Sequence, residues 1–220
     1  MGEMNSPAAQ ALMMSRGVLS EGKTLKDVLS AETYTLVQTR LEELGLGARE
    51  KAVFQTFKPW LLSLTLLTME LQKLGYTPEH GLDLYFYSKA LEEKKETLGL
   101  ETLDFQIGLL DEFSGKDQDA QLAYGIHELD MIEEQIPALV KAWESGESKK
   151  IEELLNESLK EFPDVYKSLL TDRNADWLPK IEKHLQGEHD VMVVVGAGHL
   201  VGKDSLIALL RKKGYAIRQL

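Results

Sequence analysis

One histidine stands where proteins ordinarily do chemistry. His199 lies in Gly196-Ala197-Gly198-His199-Leu200-Val201-Gly202, directly after the apolar run Val191-Met192-Val193-Val194-Val195. A neutral imidazole accepts a proton near neutral pH, passes one on, or binds a divalent metal. An α/β sheet presents such groups by delivering glycines and a histidine to the carboxyl end of a buried strand, and Gly196 and Gly198 allow a tight turn and a close backbone approach to a ligand. Packing explains His199 poorly, because a core favours an apolar side chain at that point. The spacing Gly196-x-Gly198-x-x-x-Gly202 also resembles a dinucleotide-binding loop. That loop needs an acidic residue about 20 positions on and a further half-sheet. Here the sequence stops at Leu220, and residues 215–220 hold no Asp or Glu.

The other reactive groups carry weaker signals. Glu101 follows Thr97-Leu98-Gly99-Leu100, where a short buried strand would end. His127-Glu128-Leu129-Asp130 contains metal-binding residue types, but on an exposed helix face such a run is ordinarily solvated surface. His184 and His189 flank Gln186-Gly187-Glu188, and solvent-facing histidines near a helix end are ordinarily unliganded. The chain has no cysteine, which excludes disulfides, thiolate nucleophiles and thiolate metal sites. Its net charge of -11 and pI near 5.0 leave no basic field for phosphate backbones or anionic lipid, so nucleic acid is not an expected partner. No apolar run reaches the roughly 18 to 20 residues of a bilayer span.

The elements that must position these groups read as helices almost to the end. Ser6-Pro7 places a cap and a first-turn proline before residues 8–16 and Gly17. Thr24 and Ser30 read as caps, the second for a helix with Tyr34, Val37, Leu41 and Leu44 on one face. Pro59 opens a very apolar core helix that runs to Gly75. Further helices are expected over residues 80–93, 102–113, 117–145, 151–161, 165–170 and 175–185, the last opened by Arg173-Asn174. Residues 191–195 read as a strand, 203–214 as a helix and 215–220 as a closing strand. The fold class expected is therefore α/β: a small, mostly parallel sheet with a large α-helical insertion or cap, helix-dominated overall. One domain would span residues 1–220, with the cap over about 24–170 and a strand-helix-strand unit at 190–220. A parallel strand needs neighbours on both sides, and this sequence offers few.

The motifs Gly22-Lys23-Thr24-Leu25-x-Asp27-x-Leu29-Ser30, Lys58-Pro59-Trp60, Gly81-Leu82-Asp83, Gly99-Leu100-Glu101-Thr102 with Gln106, Arg173-Asn174 and Gly196-x-x-His199-Leu200-x-Gly202 occur in order along the chain. In that order and spacing the chain resembles the TraB/GumN family, which includes Tiki and PrgY proteins. The resemblance implies two Gly-x-x-His motifs on two strands and a glutamate near the second strand. Gly196 to His199 matches the carboxyl-terminal copy. The amino-terminal copy has no counterpart, which implies a chain without its first strand and half its site, incomplete or inactive as it stands.

Tiki-like members are described as metal-dependent proteases, so the resemblance implies a peptidase-like hydrolase of peptides or proteins, with a divalent metal (Mn, Co or Zn) as cofactor. It casts His199 as metal ligand or base, Glu101 as carboxylate base and Arg173 as the group that polarises an oxyanion. Asp83, Gln106 and Asn174 would orient these groups, and Gly196 and Gly198 would shape the substrate side. Alternatives stay open. Glu101 and Arg173 would equally serve as a structural ion pair, and Asp83 as a helix cap. His199 would act without metal in the manner of the erythromycin esterases. A pheromone-shutdown-type relative would bind and sequester a peptide without cleaving it. Export to the bacterial envelope or periplasm is expected if a signal precedes Met1, and an incomplete sheet edge makes pairing into a homo-oligomer an expectation.

Overall fold

The computed structural model describes residues 7–112, 117–159 and 162–220. The Ser6 cap, and Phe113 and Glu161 at the ends of two expected helices, lie outside the described residues. The chain divides into two compact units. One comprises Met1–Ser88 and Glu101–Glu133, the other Lys89–Leu100 and Glu134–Leu220.

In the first unit, α1 (Pro7–Gly17), α2 (Leu25–Val28), α3 (Ala31–Glu43), α4 (Ala48–Phe54) and α5 (Pro59–Lys73) precede α6 (Leu82–Glu92), whose residues from Lys89 on are counted with the second, then α7 (Leu103–Glu112) and α8 (Gln118–Leu129). Proline in the first turn sets the start of α5, and its core face carries Trp60, Leu61, Leu62 and Leu66, all buried. α5 packs on α8, where Leu122, Ile126 and Leu129 are buried, and α8 also packs on α3, where Val37 and Leu41 are buried. Each such side chain, fully removed from water, contributes about 1.5–3 kcal/mol. Ser30 caps α3 by accepting from the Thr33 N–H at 3.2 Å. Asp119, in the first turn of α8, in turn accepts from the Ser30 N–H at 2.8 Å and the Thr33 hydroxyl at 2.9 Å. The buried Glu70 is compensated by Arg40 at 3.6 Å and Lys73 at 3.1 Å, as burial of a carboxylate requires.

In the second unit, α9 (Ile132–Glu144), which starts beside the division, is followed by α10 (Ser148–Leu159) and α11 (Pro163–Tyr166). The chain then widens into a π-helical turn over Lys167–Thr171 and continues directly as α12 (Asp172–Leu185). A 3-10 turn over Ala197–His199 and α13 (Leu206–Lys212) complete the unit. Two apolar clusters hold it. Ala142, Ile151 and Val201 pack with Leu139, Leu155 and Ala197, and Trp177, Ile181 and Leu206 pack with Leu100 and Val195.

The expected α/β class, with its small parallel sheet, is overturned: the described residues form helices and contain no strand. Their only β pairing is an isolated antiparallel bridge between Val18 and Phe57. Residues 191–195 do not sit in a sheet core, for Val191 is 50% and Met192 65% exposed, and only Val195 joins a cluster. Leu98 is likewise 65% exposed, and the Leu100 carbonyl accepts from Lys180 Nζ at 2.8 Å instead of from a neighbouring strand. The closing segment attaches through a side chain, with Gln219 Nε2 donating to the Gly146 carbonyl at 2.8 Å. The physical reason is that an apolar run declares a demand for burial, whereas a strand exists only where other backbones complete its hydrogen bonds. Residues 117–145, expected as one helix, form α8 and α9 with a break at Asp130 and Met131, where Asp130 pairs with Arg40 at 3.2 Å. No helix among the described residues is long and apolar enough to cross a membrane.

Candidate functional site

The residues around His199 come from α12 and from the turn that carries the histidine itself. The π-helical turn before α12 is a local widening of the kind that recurs at functional sites. It carries the chain into α12 with Arg173, Asn174 and Trp177 in the first two turns, at spacings that put them on one side of the helix. Arg173 Nη1 donates to the Leu169 carbonyl in the π turn at 3.0 Å. Its guanidinium carbon lies 4.8 Å from the centroid of the Trp177 ring, within cation–π range. On Trp177 the imidazole of His199 also rests, centroid to centroid 4.4 Å with the planes inclined at 41°. Both rings are buried, and Trp177 Nε1 has no hydrogen-bond partner among the described residues.

Asn174, 1% exposed, bridges two parts of the carboxyl-terminal segment. Its Nδ2 donates to the backbone carbonyl of Asp204 at 2.9 Å, and its Oδ1 lies 2.7 Å from His199 Nδ1. The turn that delivers His199 closes with the His199 N–H donating to the Gly196 carbonyl at 2.9 Å. Of the glycines in this stretch, Gly202 has the strongest requirement: its φ of +89° is left-handed, and a Cβ there would stand 3.2 Å from Glu152 Oε1. At Gly196 a Cβ would meet only His199 Cδ2 at 3.9 Å, and at Gly198 the side chains of Leu170 and Leu155 at 3.5 and 3.7 Å, both ordinary contacts. Beside Gly202 stands Tyr166, whose phenol is held above its usual range by burial and then by the carboxylates of Asp204 and Glu152.

Among the residues singled out from sequence, the structure thus brings together His199, Asn174 and, through the Trp177 ring, Arg173. Glu101 and Gln106 lie in the first unit and meet one another, Gln106 Nε2 donating to Glu101 Oε2 at 3.2 Å. Asp83 is in the first turn of α6, where a carboxylate favours the amino end of a helix. Trp177, the surface shared by the imidazole and the guanidinium, was not among them, although its position three residues after Asn174 and four after Arg173 is the signal that could have found it. Among the described residues no three His, Cys, Asp or Glu side chains are grouped to hold a metal ion.

A sequence profile described as the TraB/PrgY/gumN family matches residues 1–219. Two curated relatives, from Escherichia coli (strain K12) and Shigella flexneri and both described as "Uncharacterized protein YbaP", are each 24% identical over 192 residues. The match spans 86% of this chain and 69% of theirs. No solved structure matches the chain.

Proposed function

We propose that this chain, which belongs to the TraB/PrgY/gumN family, is a hydrolase of peptides or proteins in which the His199 imidazole is the general base. The supporting observation is the histidine itself: buried to 6% exposure, its Nδ1 within hydrogen-bond distance of Asn174 and its ring tilted against Trp177, it is held in one orientation. In this role the imidazole takes a proton from a water molecule as the water oxygen bonds to the scissile carbonyl carbon. It returns the proton to the amine as the C–N bond breaks. The Arg173 guanidinium would stabilise the oxyanion. None of these steps is routed through a metal. Mn, Co or Zn bound through His199 would need further ligands.

A non-catalytic role as a peptide-binding or sequestering module is favoured by a different observation. Residues 191–194 are exposed and belong to no helix or ladder, an arrangement that accepts an added strand. The deciding experiment incubates the chain with a mixed peptide library, with chelator and with Mn2+, Co2+ or Zn2+, beside His199→Ala. Hydrolysis is expected to fall by about 10²- to 10⁴-fold in the variant, the range that general acid–base catalysis supplies. Cleavage undiminished in His199→Ala overturns the hydrolase proposal. Saturable peptide binding without cleavage, indifferent to chelator and to the substitution, establishes the binding module. Loss of cleavage in chelator and its return with one of the metals would assign the step to a metal-assisted version.

A further inference from the structure

We infer that Asn174 is a positioning residue that fixes the neutral His199 in its Nδ1–H tautomer and so puts the ring's lone pair on Nε2. This rests on the general-base role proposed for His199, whose reactive atom it names. The orientation of a carboxamide is settled by what its two ends face. Asn174 Nδ2 is 2.9 Å from the Asp204 backbone carbonyl, and a carbonyl only accepts, so the NH2 end must point there. The oxygen end is then the one 2.7 Å from His199 Nδ1, and an amide oxygen also only accepts. The hydrogen on that bond must therefore be on Nδ1.

The surroundings keep the arrangement from relaxing. Asn174 is 1% exposed and His199 6%, so bulk water has little access to the bond between Oδ1 and Nδ1. Turning the amide over would set the NH2 against Nδ1 and one carbonyl oxygen against another, leaving a buried acceptor unpaired. Rotation of the ring is limited by the Trp177 indole against its face. The second nitrogen of a working histidine commonly selects the tautomer in this way through the hydrogen bond it makes.

The test is long-range 1H–15N correlation spectroscopy on the uniformly labelled full chain, at a pH where the ring is neutral, with the His199 signals assigned by their loss in His199→Gln. The expected spectrum has a protonated Nδ1 and an unprotonated Nε2. Asn174→Ala is expected to lose that preference. If peptide hydrolysis is found, kcat should fall by about 10- to 100-fold in Asn174→Ala with KM little changed. A wild-type spectrum with the proton on Nε2, or one that stays unchanged in Asn174→Ala, overturns the inference. Since the wild-type spectrum does not depend on how Asn174→Ala folds, a poorly folding Asn174→Ala does not shield the inference. The spectrum is also independent of turnover. An Nδ1–H tautomer in a protein that cleaves nothing sinks the hydrolase proposal and leaves the tautomer assignment standing.

Discussion

A buried imidazole is costly unless its polar atoms are satisfied, and the Asn174 bridge shows how this chain meets that cost: one amide serves the histidine and the Asp204 carbonyl together. The same corner holds Tyr166, and there the sign of a pH effect is fixed. Burial, then Asp204 and Glu152, keep the phenol protonated in the folded protein to higher pH than in the unfolded chain. Stability from this group is complete below the ordinary phenol pKa of about 10 and is lost as pH rises toward the higher folded value. Urea midpoints measured at neutral pH and above about pH 10 should show a smaller alkaline loss in Tyr166→Phe than in the wild type. An equal loss in both would show that other groups dominate. His199 stood out in the sequence as a polar residue after an apolar run, whereas Asn174 was reached only through the family resemblance that carries Arg173-Asn174. Trp177 was hidden by its type: an aromatic on an amphipathic helix reads as core, and it becomes part of the site only through the histidine that a distant turn lays against it.

Among the elements, the tightest junction is where the last residue of α1 meets α5. A Cβ at Gly17 would lie 2.5 Å from Leu61 Cδ2 and 3.1 Å from Leu61 Cβ, with Leu61 itself buried. The Gly17 carbonyl is tied down as well, accepting from the Lys58 N–H at 2.6 Å. Gly17→Ala should therefore overpack the junction and destabilise by about 1–3 kcal/mol, read as a lower denaturant midpoint. A midpoint equal to wild type would show that Leu61 shifts freely. The helices themselves were largely legible, because caps and prolines are local signals: Pro59 begins α5 and Ser30 caps α3 as their residue types require. Asp27, accepting from the Thr24 N–H at 2.8 Å, completes the start of α2 in the same way. Continuity was less legible. Residues 165–170 and 175–185 read as two helices, yet α11, the π turn and α12 run on without a gap, because the extra residue in the π turn breaks the 3.6 period without breaking the chain of hydrogen bonds. The sheet failed for the opposite reason. A strand's partners are remote, and nothing within residues 191–195 reports whether they exist.

For the molecule as a whole, charge governs behaviour in solution. With 25 basic and 36 acidic residues the protein repels its own copies at neutral pH. That repulsion vanishes near its pI of about 5.0, where solubility should pass through a minimum. Turbidity recorded against pH checks this, and a protein that stays clear through that region would refute it. The wet apolar run at 191–194 has a further thermodynamic consequence. The heat capacity change of unfolding counts apolar surface that water reaches for the first time when the chain opens. Val191, Met192, Val193 and Val194 are already 37 to 65% exposed in the native state. They therefore add less to that heat capacity than an equal run inside α5, and calorimetry should see a protein somewhat smaller than its residue count.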